Sequence, residues 1–104
     1  MKIAVATLLS LFVMMSPSLA ADDGAAVFED ACASCHTGGF AGWWRDAPDI
    51  NDKEIWSPLL AKGAEALTFA TINGIGKMPA RGRCDTCSDE EIRAAVDYIV
   101  ETAQ

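Results

Sequence analysis

Hydrophobic positions recur with helical spacing in the first and last of four segments that are predicted to be helices. The clearest segment begins at Ser88, because Ser88 and Glu91 form the pattern of a capping box at a helix start. Its predicted buried face consists of Ile92, Ala95, Val96 and Ile99. Earlier helices are predicted at 22–33, 52–62 and 64–73, where aspartates and glycines mark the ends. No strand-like alternation competes with them, so the predicted fold class is all-α.

Two segments between the predicted helices lack this spacing. Residues 37–51 are rich in glycine and include Pro48, and residues 77–87 include Pro79 and Gly82. Both segments are predicted as loops. Loops of this length in so small a domain indicate that something besides side chains fills the centre.

Residues 1–20 are predicted to be a cleaved signal peptide. Lys2 supplies a basic start, 3–15 form an apolar run, and Ser18-Leu19-Ala20 supplies small residues at the positions that a signal peptidase reads. The alternative is an uncleaved membrane anchor, but Ser16 and Pro17 end the run short of the roughly 20 residues that a span needs. The sequence therefore predicts an exported, periplasmic domain at 21–104, close to the size at which an apolar core alone is marginal.

The chain is acidic, with a formal net charge of -7. This charge argues against nucleic acid as a partner. It favours proteins that present basic docking surfaces, because opposite charges steer association.

Cys32, Cys35 and His36 form the attachment pattern of a c-type haem. Each thiol can bond one haem vinyl group, and the histidine after the second cysteine is placed to ligate the iron. Thioredoxin-like sites and zinc sites contain the same cysteine spacing. However, a zinc site needs four ligands and the chain has one histidine, and a thioredoxin-like site expects a βαβ unit that the pattern does not predict. One covalently attached haem c is therefore predicted.

Met78 is the predicted second axial ligand, because the other three methionines lie in the predicted signal peptide. A lone methionine commonly fills a gap in a core, but Met78 lies on a predicted loop. Axial ligation by one histidine and one methionine raises the reduction potential of the haem and leaves no open position on the iron. The predicted protein therefore carries electrons, is not an enzyme and has no small-molecule substrate.

With these motifs in place, the chain resembles the class I c-type cytochromes, and within them the cytochrome c5 group. The resemblance covers 21–104 and includes Gly24, Phe28 and Cys32 at successive four-residue steps. It implies that the last helix crosses the first closely at the glycine and offers Tyr98 as its aromatic partner. It implies about four short helices wrapped around one covalently bound haem. It also implies a single-electron carrier whose partners are redox proteins and which meets a membrane only through a redox complex.

The resemblance assigns roles to two further features. Pro48 follows His36 by twelve residues, as does the family's proline whose carbonyl accepts the N–H of the axial histidine; the alternative is an ordinary loop proline. Cys84 and Cys87 match the cysteine pair that closes a short disulfide before the last helix. A reactive dithiol is the alternative, because a helix start lowers a thiol's pKa, but export favours the closed bridge.

Two neighbouring tryptophans, Trp43 and Trp44, depart from the c5 pattern, which has smaller residues there. Either one ring is exposed at a docking patch, or one packs on the haem and the other on a loop. Trp56, Arg45 and Lys62 are candidates for contact with the haem propionates.

Three other functions remain open from the sequence. The chain could be a haem-bearing electron-transfer subunit of a dehydrogenase or oxidase complex. It could be a sensing module with an open iron position. It could also use its two CxxC pairs for dithiol exchange or metal storage without haem.

Overall fold

The computed structural model describes residues 23–104, so the predicted signal peptide lies outside the described residues. In chain order the helices are α1 (Gly24–Val27), α2 (Ala33–His36), α3 (Gly39–Trp44), α4 (Lys53–Leu60), α5 (Ala64–Asn73) and α6 (Asp89–Ala103). A π-helical turn (Phe28–Cys32) joins α1 to α2, and a 3-10 turn (Ala80–Arg83) precedes α6. Within 23–104 no β-strand occurs, and the prediction of an all-α fold is confirmed.

The first helical segment begins at Asp23, whose side chain accepts a hydrogen bond from the Ala26 amide at 3.1 Å. An aspartate in this position satisfies an amide that the helix itself leaves unpaired. The segment runs without a break from α1 through the π-helical turn into α2. The sequence predicts an end near Ala33, whereas the structure extends the helix to His36.

The N-terminal and C-terminal helices cross at Gly24. A Cβ atom placed on Gly24 would lie only 2.0 Å from the Ala94 carbonyl oxygen, so the two backbones touch where a side chain would separate them. One turn further along, the Phe28 and Tyr98 rings lie 5.3 Å apart between centroids. The pairing of these two helices, expected from the four-residue steps and Tyr98, is confirmed.

Helix α6 has the predicted capping box. The Glu91 amide donates to Ser88 Oγ and the Ser88 amide donates to Glu91 Oε1, both at 3.1 Å. The predicted apolar face is buried, together with Ala103. The core behind it is completed by Phe28, Ile50 and Trp56.

The predicted helices at 52–62 and 64–73 are confirmed as α4 and α5, with α4 one to two residues shorter at its ends. Asp52 caps α4 by accepting from the Ile55 amide at 3.2 Å. Gly63 separates the two helices at a φ of 89°, a conformation in which a side chain would be strained.

The prediction of an unbroken loop at 37–51 is wrong, because α3 lies inside it. The glycines there led to the loop prediction, but Gly42 has another role. A Cβ on Gly42 would lie 2.5 Å from the Cys35 carbonyl oxygen, so this glycine lets α3 pack directly on the preceding helix. The loop prediction at 77–87 is confirmed apart from the single 3-10 turn.

Across residues 23–104 no helix combines the length and the apolar character needed to cross a membrane.

We expect Gly24→Ala to destabilise the folded protein by about 1–3 kcal/mol, because the new methyl group forces the α1 and α6 backbones apart. Guanidinium unfolding followed by far-UV circular dichroism measures this loss. Glu29→Ala, an exposed change on the same helical segment, is the control and should shift stability by less than about 0.5 kcal/mol. Equal unfolding midpoints for parent and Gly24→Ala would contradict the close crossing.

Candidate functional site

A cavity of about 650 Å³ lies between the helices and the two loops. The structure brings all the sequence-predicted site residues to it: Cys32, Cys35, His36, Pro48, Met78, Cys84 and Cys87. Much of the remaining wall is apolar and includes Leu59, Leu67, Ile92, Val96 and Ile99. A cavity of this size, with apolar walls and few polar groups, is typical of a cofactor site.

His36 is held in a fixed orientation at the cavity. Its side chain is 8% exposed, and its Nδ1 lies 2.9 Å from the Pro48 carbonyl oxygen. Because Nδ1–H donates to that carbonyl, the lone pair of the imidazole is on Nε2. The Trp56 ring lies 6.2 Å from the His36 ring and is itself held by a 2.8 Å bond from Nε1 to the Asp49 carbonyl.

Cys32 and Cys35 are half-buried free thiols on the same cavity. Burial raises the pKa of the Cys32 thiol above its ordinary value, and the neighbouring charge of Cys35 raises it further. Reactive dithiols depend on a lowered pKa, because the thiolate is the nucleophile. The raised pKa of Cys32 therefore does not favour thioredoxin-like exchange at this pair.

In the part of the chain that the structure describes, no three histidine, cysteine, aspartate or glutamate side chains lie close enough together to hold a metal ion.

Met78 is presented by a tight hairpin. The Met78 amide donates to the Ile75 carbonyl at 2.8 Å, and the Ile75 amide donates to the Met78 carbonyl at 3.1 Å. Gly76 turns the chain between them at a φ of 55°. This pairing fixes the backbone of a half-buried methionine whose side chain reaches the cavity and lies beside Gly82.

Cys84 and Cys87 have their sulfur atoms at bonding distance, and their Cα atoms are 5.4 Å apart, within the usual range for a disulfide. Arg81 connects this pair to the loop that carries Met78. Its guanidinium donates to the Cys87 carbonyl and, at 2.8 Å, to the Asp89 carboxylate at the start of α6.

A second connection, which sequence reasoning missed, joins α3 to the hairpin of Met78. Arg45 Nη1 donates to the Lys77 carbonyl at 3.2 Å, and Lys77 Nζ donates to the Trp44 carbonyl at 3.2 Å. Lys77 also pairs with Asp46 at 2.9 Å. Because Lys77 lies more than thirty positions after Trp44 and Arg45 in sequence, no local pattern predicts the contact.

Charge is distributed unevenly around the cavity. Its lining includes five basic residues, Arg45, Lys62, Lys77, Arg81 and Arg83, against one acidic residue, Asp46. The whole chain contains 15 acidic and 8 basic residues. The acidic excess therefore lies on surfaces away from the cavity.

The three candidates for propionate contact, Trp56, Arg45 and Lys62, all line the cavity. The indole N–H of Trp56 is already committed to the Asp49 carbonyl. Trp43 and Trp44, in contrast, do not line the cavity and are 70% and 63% exposed. Of the two alternatives for these rings, exposure agrees with the structure, and packing on a cofactor in the cavity does not.

Known proteins match both the sequence and the fold. The family model described as "Cytochrome C oxidase, cbb3-type, subunit III" matches residues 19–99. The cytochrome c-555 of Chlorobaculum thiosulfatiphilum is 36% identical over 81 residues, which cover 74% of this chain and 90% of that protein. The cytochrome c5 of Ectopseudomonas mendocina is 34% identical over 70 residues, 65% of this chain and 76% of that protein.

A solved structure, described as an electron transfer complex of nitrite reductase with cytochrome c, contains a chain of the same fold. That chain is 37% identical, with a TM-score of 0.70, and the match covers 78% of this chain and 94% of that one. The relatives are electron-transfer proteins and not enzymes. By sequence, fold and relatives, this chain belongs to the class I c-type cytochromes, the small electron-transfer proteins that carry one covalently bound c-type haem.

Proposed function

We propose that this chain is a periplasmic single-electron carrier. Cys32 and Cys35 hold its haem through thioethers, and His36 and Met78 are the axial ligands of the iron. One observation carries the proposal: these four side chains line a single cavity, although Met78 comes from a segment more than forty residues away. When bound, haem supplies reversible one-electron chemistry at its iron.

The chain's own residues prepare that chemistry. The Pro48 carbonyl holds Nδ1–H of His36, which leaves Nε2 as the ligand atom and raises its basicity. The soft thioether of Met78 favours the reduced iron and raises the potential. Leu59, Val96 and the other apolar residues of the wall exclude water from both ligands.

Covalent attachment and export can be tested together. Expressed with the c-type haem maturation machinery, the full chain should give a red protein whose intact mass equals residues 21–104 plus one haem. Its pyridine haemochrome spectrum should show two thioether bonds, and Cys32→Ser/Cys35→Ser should be colourless. A colourless parent protein would overturn the proposal. A mass that still includes residues 1–20 would contradict only the predicted cleavage after Ala20 and would leave the haem proposal standing.

Ligation by Met78 predicts that the reduced protein does not respond to carbon monoxide, because both axial positions are filled. Met78→Leu should open one position, so carbon monoxide should shift the spectrum within the mixing time. Ile75→Leu, in the same hairpin, is the control and should behave as the parent. An immediate full shift in the parent would instead support the alternative of a sensing module with an open position.

The cysteine pair 84 and 87 serves as a disulfide that holds the loop of Met78. A ring closed between residues three apart restricts the unfolded chain little, so its main effect is on local geometry. In Cys84→Ser/Cys87→Ser, the far-red absorption band of iron–methionine ligation should disappear on heating well before the helices unfold. Thr86→Ser, inside the ring, is the control. A band as heat-resistant as that of the parent would contradict this role.

Redox proteins are the partners, as the complex that contains the structural neighbour suggests. The net charge of -7 favours partners with basic docking surfaces. Because cations surround the cavity, those surfaces meet the acidic body of the chain outside it. Electron exchange with a basic redox protein should therefore slow as ionic strength rises, and a rate that rises with salt would contradict this attraction.

A second candidate function is that of a haem-bearing electron-transfer subunit within an oxidase or dehydrogenase complex. The description of the matching family model as an oxidase subunit favours it. Gentle solubilisation of native membranes distinguishes the two, because a subunit co-migrates with its complex and a free carrier stays in the soluble fraction.

A further inference from the structure

Three aromatic side chains form an exposed cluster on α3, which we call the aromatic patch: Phe40, Trp43 and Trp44. They are 76%, 70% and 63% exposed. Their ring centroids lie 5.9 Å apart for Phe40 and Trp43, and 6.4 Å apart for the other two pairs. These spacings are typical of aromatic rings that stabilise one another, so the patch is a preformed surface.

Binding of haem does not cover the aromatic patch. None of its three residues lines the cavity. Ile75 provides the comparison: it is 60% exposed but belongs to the cavity wall, so the cofactor accounts for its exposure. The exposure of the aromatic patch requires another explanation.

The patch lies close to the site of haem attachment. Gly42, within α3, packs its backbone on the carbonyl of Cys35, where an added Cβ would lie 2.5 Å away. Arg45 follows the patch, lines the cavity and donates to the Lys77 carbonyl beside Met78. A protein seated on the patch would therefore be near both the attachment segment and the hairpin of Met78.

The size of the patch indicates the kind of partner. Aromatic side chains bury about 150–250 Å² each, so three rings exposed by about two thirds offer roughly 300–500 Å². A stable interface takes about 800 Å² from each partner, whereas weak electron-transfer encounters use less. The area is thus too small for a stable dimer and fits a transient redox encounter.

The charge of the patch indicates the partner's surface chemistry. Residues 37–44 contain no charged side chain, in a chain with 23 charged residues out of 104 (15 acidic and 8 basic); charge begins at the edge of the patch, where Lys77 donates to the Trp44 carbonyl and pairs with Asp46. An uncharged aromatic surface is complementary to another uncharged, apolar surface, and aromatic residues are enriched in such interfaces.

We propose that the aromatic patch is the docking surface for an electron-transfer protein that presents an uncharged, apolar surface. This inference rests on the proposed function as an electron carrier. Charge on the body of the chain guides approach, and contact with the aromatic patch then seats the partner next to the haem-attachment segment.

The test uses the full, haem-loaded chain on gold electrodes coated with alkanethiol layers of two kinds. One layer, which we call the methyl layer, ends in methyl and hydroxyl groups and imitates the apolar partner. The other, the amine layer, ends in amines and attracts the acidic body of the chain. The variants are Phe40→Gln/Trp43→Gln/Trp44→Gln and the single change Trp43→Gln, since glutamine is compatible with a helix. Phe69→Gln is the matched control, because Phe69 is also 70% exposed and does not line the cavity.

On the methyl layer, the parent should exchange electrons faster per adsorbed molecule than on the amine layer. The triple variant should lose this rate about tenfold or more, and Trp43→Gln should lose part of it, because few anchor residues dominate an interface. Phe69→Gln should stay within about twofold of the parent. Unchanged rates on the amine layer and with hexaammineruthenium show that the haem still works, which separates failure of the patch from failure of the proposed function.

Several outcomes would overturn the inference. The first is an electron-exchange rate on the methyl layer that falls no more in the triple variant and in Trp43→Gln than in Phe69→Gln. The second is a parent protein that adsorbs on the methyl layer but exchanges electrons no faster there than on the amine layer. Sedimentation that reveals a dimer abolished by the triple variant would assign the patch to a second copy of the chain. Patch-dependent flotation with phosphatidylethanolamine–phosphatidylglycerol vesicles would assign it to a membrane surface.

Discussion

The helices of this chain enclose a space that their own side chains do not fill, and most features of the structure follow from that constraint. With a cavity of about 650 Å³ at its centre, the domain cannot close a continuous apolar core. A covalently bound haem, the cofactor of this family, would supply the missing contacts. A chain of this size gains little from its own core, so the haem of this family serves as structure as well as redox centre.

The hairpin of Met78 is secured by hydrogen bonds to backbone carbonyls. The hairpin of Met78 is held on one side by Arg45 and Lys77 and on the other by Arg81. A methionine sulfur is a weak ligand, so the proposed bond from Met78 to iron would depend on a loop that already holds the right shape. The three cations fix the backbone of that loop, besides adding charge near the cavity.

Features with a local chemical cause could be predicted from the sequence. The capping box at Ser88, the glycine that ends α4 and the spacing of Cys32, Cys35 and His36 each depend on residues within a few positions of one another. Contacts between distant residues could be predicted only where the family resemblance supplied them, as for the crossing at Gly24 and the bond from His36 to the Pro48 carbonyl. From the sequence, Gly42 indicates a break in helical structure. In the fold, it lets the backbone of α3 pack closely against the backbone of Cys35. The separation of charge between cavity and body likewise requires the fold.

The contact between Gly42 and Cys35 also constrains how this protein can vary. Because any side chain at position 42 would collide with the backbone of the haem-attachment segment, α3 is fixed to that segment as a rigid extension. The surface on α3 can then change its side chains freely while its distance from the cofactor stays constant. Substitutions on such a helix can therefore change the specificity for redox partners without changing the reduction potential of the haem.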